Sequence, residues 1–283
     1  MLQVSKKTLN IRGTLLDLST PVVMGIINIT PDSFYAGSRA AATDEIVEKA
    51  GQMLTDGAGM IDIGGYSTRP GAREVGAEEE ADRVESAVEP LAKFFPDLII
   101  SVDTFRAGVA ERGIAKGAHI INDVAGGTLD DAMFETVARL RVPYILMHMR
   151  GTPQTMNQLT HYDRLVPNIL RDLRVKVMIL QSNGVADVII DPGFGFAKTI
   201  AQNFELLRAL DQFKLLGYPV LVGISRKKKI YKTLNISPDE ALNGTTVLNT
   251  LALERGASIL RVHDVKPAVE AVKLWMAAGN YPN

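Results

Sequence analysis

Eight times along this chain a short apolar run stops on a polar residue or a turn, and the runs recur at intervals of about 30 residues, the spacing of successive βα units. They span residues 22–28, 60–64, 98–103, 119–122, 144–148, 188–191, 220–224 and 258–262. A strand apolar on both sides has to be covered on both faces, as in a parallel sheet flanked by helices. The intervening stretches supply the helices: apolar positions three and four apart predict them over 43–56, 78–95, 107–116, 132–140, 165–183, 202–215, 242–254 and 267–278. Gly57, Gly117, Gly184, Gly217 and Gly256 stand where several of these must end, as left-handed C-caps require. No Pro/Ser-rich linker interrupts the alternation. Residues 1–17 alternate polar and apolar side chains around Arg12-Gly13, the pattern of a hairpin and not of a signal peptide. The economical fold is α/β: a single (β/α)8 TIM-barrel domain over residues 1–283 with a short N-terminal β-hairpin, typical barrels running to about 250 residues. A doubly wound open sheet is the alternative.

In either architecture the residue just beyond the C-terminal end of a strand faces the ligand. Here these residues are Asn28, Asp62, Asp103, Asn122, His148, Asp191, Ser225 with Lys227, and Arg261 with His263. One such residue is an ordinary turn or cap; eight strands in succession ending this way predict a ring of chemistry at one barrel mouth. Carboxylates and amides read the donor edge of a heterocycle, while Arg, Lys and His hold phosphate. The charge balance points to a small-molecule substrate. With a formal net charge of −1 and no Lys/Arg block longer than Arg226 to Lys229, there is no electrostatic case for nucleic acid or membrane as the main partner. No segment approaches a transmembrane length. The absence of cysteine excludes disulfides, thiolate metal sites and a Cys nucleophile, and fits a cytoplasmic location.

The strand-end motifs carry a resemblance. Asn28-Ile-Thr-Pro-Asp-Ser-Phe34, Asp62-Ile-Gly-Gly-Tyr-Ser-Thr-Arg-Pro-Gly71, Ser101-Val-Asp-Thr104, Ile121-Asn-Asp-Val124, Met147-His-Met149, Asp191-Pro-Gly-Phe-Gly-Phe196, Gly223-Ile-Ser-Arg-Lys227 and Arg261-Val-His-Asp264 occur in the order found in the dihydropteroate synthase family, which the chain resembles over essentially its whole length. The resemblance implies condensation of 7,8-dihydropterin-6-methyl pyrophosphate with p-aminobenzoate, assisted by Mg²⁺, in a cytoplasmic homodimer that sulfonamides target. It implies that Asp191 and Asn122 hydrogen-bond the pyrimidine edge, that Lys227 reaches the pterin carbonyl and ring nitrogen, and that Asp103 stabilises developing positive charge. Asn28 would ligate Mg²⁺, and Arg261 and His263, with Arg69, would grip the pyrophosphate. The p-aminobenzoate site would take Thr68, Pro70, Phe196 and Ser225, with Asp32 and Arg69 closing over it. Two departures stand out: many relatives have Ser-Asp-Gly-Gly where this chain has Tyr35-Ala-Gly-Ser38, and Glu where it has Tyr66.

Two rival functions share the resemblance: a corrinoid-type pterin methyltransferase and a catalytically silent pterin-binding barrel. The Asn28 loop, Lys227 and the Arg261/His263 pair argue against the first, and the complete set of polar strand ends against the second. Other conspicuous residues have ordinary readings. His119 and His161 are expected to be structural or solvated, Lys228 and Lys229 surface charge, and Glu78 to Glu80 helix N-terminal charge favoured by the macrodipole. Asp62 is expected to support the second loop, and Leu274, Trp275 and Met276 to pack the last helix or form part of a dimer face.

Overall fold

The computed structural model describes residues 6–29, 39–67 and 73–279. Asp32, Thr68, Arg69 and Pro70 lie outside the described residues, as does Tyr35. Two antiparallel strands come first, β1 (Thr8–Ile11) and β2 (Thr14–Asp17). The chain turns between them at Arg12 and Gly13, and Asn10 Oδ1 accepts from Gly13 N at 2.6 Å.

Eight parallel strands follow: β3 (Val22–Asn28), β4 (Met60–Gly64), β5 (Ile99–Asp103), β6 (Ile120–Asp123), β7 (Tyr144–Met147), β8 (Val188–Asp191), β9 (Leu221–Val222) and β10 (Ile259–Val262). Their order is β8-β7-β6-β5-β4-β3-β10-β9. A parallel bridge between Ile190 and Val220, with Ile190 N donating to Pro219 O at 2.8 Å, completes the ring. That closure replaces the open-sheet alternative with a TIM barrel.

Outside the ring lie α1 (Arg39–Thr55), α2 (Ala77–Phe94), α3 (Ala107–Ala115), α4 (Met133–Leu140), α5 (Leu165–Ser182), α6 (Ile200–Arg208), α7 (Lys228–Leu234), α8 (Leu242–Glu254) and α9 (Val265–Gly279). Two differ from the sequence expectation. The helix expected over 202–215 ends as α6 and tightens into a 3₁₀ segment, Leu210–Leu216, before the left-handed Gly217. Helix α7 was not expected, because seven residues hold too few turns for a helical period to register.

Alternation along the strands builds the barrel interior in layers. The N-terminal layer is apolar: Met24, Met60, Ile120, Ile145, Ile189, Leu221 and Ile259 form one buried cluster with Leu9, Ile11 and Leu18 of the hairpin segment, which plugs that end. Two residues further along the strands the same face carries Asp62, Ser101, Asn122, Asp191 and Arg261, and two further again Asn28, Gly64, Asp103, Ser225 and His263. The interior thus changes from hydrocarbon to charge within one pleat. The opposite strand faces pack against helices. Gly25 shows how closely: a Cβ there would come 2.6 Å from Met53 Sδ and 3.3 Å from Val265 Cγ2, so the glycine lets the side chains of α1 and α9 pack tightly on β3.

Candidate active site

The charged layer is held together by one guanidinium. Arg261 on β10 donates from Nε to Asp62 Oδ2 at 2.6 Å and from Nη2 to Asp103 Oδ2 at 2.6 Å. Asn122 Nδ2 donates to the same Asp62 oxygen at 2.9 Å. Because a carboxylate only accepts, this contact fixes the Asn122 amide and leaves its Oδ1 as the end open to a ligand donor. Burial raises the Asp103 carboxyl above the ordinary carboxylate range; Arg261 opposes this, and Asp62, Glu80 and Asp123 reinforce it. Burial works against the Arg261 charge too, but Asp62 and Asp103 outweigh it and hold the guanidinium firmly protonated.

Around the mouth, the end of β8 and the turn after β9 bring together a second pair. Asp191 Oδ1 accepts from Gly193 N at 2.7 Å. Burial raises its carboxyl, against the pull of Lys227, the Gly193 N–H, Arg261 and Lys198. Burial lowers Lys227 to about 8, with Asp191 opposing. The Lys227 ammonium donates to Phe194 O and stands 4.6 Å from the centre of the Phe196 ring. Ser225 Oγ accepts from His263 N at 3.2 Å and lies 3.0 Å from His263 Nδ1. Arg226, left-handed at φ 53°, forms a two-pronged pair with Asp264 at 2.8 and 2.7 Å, pinning the turn between Ser225 and Lys227 to the end of β10.

Asn28 ends β3 exposed at the same mouth, paired in register with Gly64. A Cβ on Gly64 would come within 3.2 Å of Asn28 Oδ1, so the glycine leaves that oxygen open. The ring therefore sets Asp191 beside Lys227 and Asn122 beside Arg261, through the Asp62 oxygen they share, with His263 and Asn28 at the same mouth. It suits a ligand with a donor-rich heterocyclic edge and an anionic group.

The match extends to whole proteins. The family model described as pterin binding enzyme covers residues 24–263. A dihydropteroate synthase of Escherichia coli (strain K12) is 43% identical over 265 residues, 93% of each chain. The chain belongs to the dihydropteroate synthase family. A Yersinia pestis dihydropteroate synthase solved with a sulfonamide drug aligns with a TM-score of 0.90 at 42% identity, covering 97% of this chain and all of that one. The Xanthomonas albilineans dihydropteroate synthase solved with 4-aminobenzoic acid gives 0.90 at 39%, covering 98% of this chain and all of that one.

Against this family background several residues take roles other than those expected. Asp62 is fully buried inside the barrel, where it balances Arg261 and orients Asn122. Glu80 stands in the first turn of α2 as expected and is in addition buried: it accepts from Thr104 Oγ1 at 2.6 Å and pairs with Arg106, which in turn donates to Val75 O at 2.9 Å. Lys228 is exposed as expected, but Lys229 is buried with its ammonium 4.4 Å from the centre of the Phe194 ring. His119 is structural, its Nδ1 accepting from Ile100 N at 3.2 Å, while the His161 side chain is exposed. Tyr66, at the second loop's departure from the family pattern, stacks edge-on to Phe105 at 5.2 Å, and its hydroxyl accepts from Gln154 at 3.2 Å. Residues with no expected role also support the ring. Asp123 Oδ2 accepts from Tyr144 Oη at 2.6 Å and from Gly127 N at 2.7 Å, anchoring the turn after Asn122.

Proposed function

We propose that this chain joins p-aminobenzoate to a 7,8-dihydropterin-6-methyl pyrophosphate, releasing pyrophosphate and 7,8-dihydropteroate. What supports this reading is that one barrel mouth gathers acceptors for the donor edge of a heterocycle, Asp191 and Asn122, with the cations Lys227 and Arg261 and the imidazole of His263. In the reaction the bond from the methylene carbon to a pyrophosphate oxygen breaks, and its electron pair leaves with the oxygen. The electron-rich dihydropterin shares the resulting positive charge, and the carboxylate of Asp103 faces it. The neutral aryl amine then donates its lone pair to the methylene carbon and loses one proton. Such a path needs charge stabilisation and positioning more than a strong base.

Asp191 and the open Oδ1 of Asn122 accept from the pyrimidine donors, and Lys227 donates to the pterin carbonyl and ring nitrogen. Arg261 spends two of its five N–H donors on Asp62 and Asp103, which leaves three for pyrophosphate oxygens beside His263. Phe196 and Ser225, with Thr68 and Pro70, receive the p-aminobenzoate ring and carboxylate. Asp32 and Arg69 close over both ligands and keep water from capturing the cation.

Mg²⁺ fits the residues present as an ion shared with the substrate. Asn28 offers one open neutral oxygen, and no group of three His, Asp or Glu among the described residues is arranged to hold a metal ion. Mg²⁺ typically takes one or two protein oxygens together with substrate phosphates. Asn28 Oδ1 would hold the ion, and when bound it would offset negative charge on the departing pyrophosphate.

The test is pyrophosphate release from the dihydropterin pyrophosphate. We expect release coupled to dihydropteroate formation when p-aminobenzoate is present, and its loss on chelation with recovery on Mg²⁺ addition. Dihydropteroate formation unaffected by chelation would remove the metal from the reading, and failure to form dihydropteroate at all would overturn it.

We also infer a homodimer. Val247 and Leu251 on α8 and Leu274 on α9 are 51%, 49% and 72% exposed on two helices that pack together, an apolar face suited to a second copy. Sedimentation at micromolar concentration should give the dimer mass, and a clean monomer would count against it. No helix among the described residues is long and apolar enough to cross a membrane. A cytoplasmic site of action is our reading, supported by the cysteine-free sequence.

A further inference from the structure

Lys198 lies just past the glycine-rich turn that follows β8, and no step above uses it. Its side chain is buried, yet its nitrogen meets three partners: Phe196 O at 2.9 Å, Gly193 O at 2.9 Å and His148 Nδ1 at 3.1 Å. The carbonyls only accept, so the His148 contact decides the protonation of the lysine. If His148 carried its proton on Nδ1, the lysine would be a neutral amine and the bare Nε2 would face the carboxylate of Asp172, 3.7 Å away. A proton on Nε2 makes that approach, too long for a hydrogen bond, an electrostatic attraction and leaves Nδ1 as an acceptor for a lysine ammonium. Burial, reinforced by Lys198, Lys176 and Arg150, drives the imidazolium pKa down to about 2, so His148 is neutral. The arrangement of donors and acceptors therefore favours charged Lys198.

The two carbonyls that Lys198 holds bracket the segment from Gly193 to Phe196. That segment supplies the N–H bound to Asp191, the carbonyl bound to Lys227 and the ring beside Lys227. Gly193 is left-handed at φ 74° and passes so close to β7 that a Cβ would come 2.0 Å from His148 O. The turn is thus pressed onto β7 by backbone contact and tied down by one ammonium. We propose that Lys198, oriented by His148 and Asp172, is a positioning residue that fixes the Gly193–Phe196 turn and holds Asp191 in the ionised form that pterin recognition requires.

The charged neighbours agree on the direction. Asp191, raised chiefly by burial, is drawn back toward ionisation by Lys227, Arg261 and Lys198. Lys198, lowered by burial to about 7, is supported by Asp191 against Lys227 and Arg150. Each group favours the charged form of the other, and the three acceptors around Lys198 favour protonated lysine beside ionised aspartate. Lys229 packs on the same turn at Phe194, but its ammonium has no hydrogen-bond partner among the described residues, and burial holds its pKa well below the usual lysine value. It therefore cannot be counted on for the same charge.

The inference rests on the pterin reading, so the experiment measures that first. Binding of a free dihydropterin, which carries no phosphate, is followed by calorimetry from pH 5.5 to 9 in the parent chain and in Lys198→Met. We expect the parent to bind over the neutral range. The variant should lose about tenfold in affinity at neutral pH, the scale of one pKa unit, and recover as pH rises, because its Asp191 ionises later. Asp172→Asn, at a half-exposed helix position, should shift the profile in the same direction by less.

Because the parent chain has no cysteine, Lys198→Cys can be aminoethylated at one site and refolded, restoring an ammonium of nearly the same reach; it should recover the parent profile. An unchanged profile in Lys198→Met, or an equal loss at every pH that aminoethylation does not reverse, would overturn the proposal. If Lys198→Met does not fold, the Asp172→Asn profile decides: a shift supports the proposal and none overturns it. A parent chain that binds no pterin would instead sink the functional reading itself.

Discussion

Asp191→Asn should fold normally and bind a dihydropterin at least tenfold more weakly. The carboxylate offers acceptors in two directions: Oδ1 takes the Gly193 N–H at 2.7 Å, and the remaining lone pairs face the pocket. An amide of the same shape has one accepting and one donating end. If its oxygen faces Gly193, the amino group meets the pterin's ring N–H and 2-amino donors; if its oxygen faces the pterin, the amino group meets the Gly193 N–H. Either orientation leaves donor against donor, and a charge-assisted bond lost this way costs about 1.5–3 kcal/mol, roughly tenfold to a hundredfold in affinity. Stability should not fall with it, because a buried carboxylate raised by desolvation is being exchanged for a neutral group. Calorimetric titration with a free pterin, alongside a thermal melt, measures both; unchanged affinity would sink the pyrimidine-edge assignment.

Much of this geometry was legible in the sequence because the physics that writes it is local. A run buried on both faces must be apolar, and it must stop where the chain reaches solvent or ligand. For that reason β3, β4 and β8 begin and end on the expected residues, Val22 and Asn28, Met60 and Gly64, Val188 and Asp191. The five glycines expected to cap helices all adopt positive φ. Strand β9 shrinks to Leu221–Val222 because ladder pairing, not apolar content, defines a strand.

The pairings across the barrel left no comparable trace. Arg261 meets Asp62 across 199 positions, and Lys198 meets His148 across 50. Neither spacing has a period that a sequence could display. Lys229 looked like surface charge because it follows three other cations; only the short helix α7 turns it inward onto Phe194. Glu80 looked like its neighbours Glu78 and Glu79, and only the packing of α2 against the end of β5 distinguishes it. A strand end can thus announce that a residue faces the mouth, but not which other residue it will be held by.

That distinction governs the second large effect, expected for Arg261→Ala. The guanidinium balances two buried carboxylates, so its removal should destabilise the fold by about 3–5 kcal/mol, the range for breaking a buried pair. The same variant should lose binding of inorganic pyrophosphate with Mg²⁺ by about tenfold to a hundredfold, as one or more charge-assisted bonds disappear. Free dihydropterin carries no such charge and should lose much less, even though Asp103 and Asp62 are disturbed. Folding and recognition can be separated by adding Asp62→Asn to Arg261→Met. Removing one carboxylate together with the cation relieves part of the uncompensated charge, so the melting temperature should rise above that of Arg261→Met alone while pyrophosphate affinity stays low. The comparison is made by thermal melts and by calorimetry with each ligand. If the free pterin and pyrophosphate weaken by the same factor, Arg261 serves the barrel interior alone, and the pyrophosphate grip has to be carried by His263 and the residues around it.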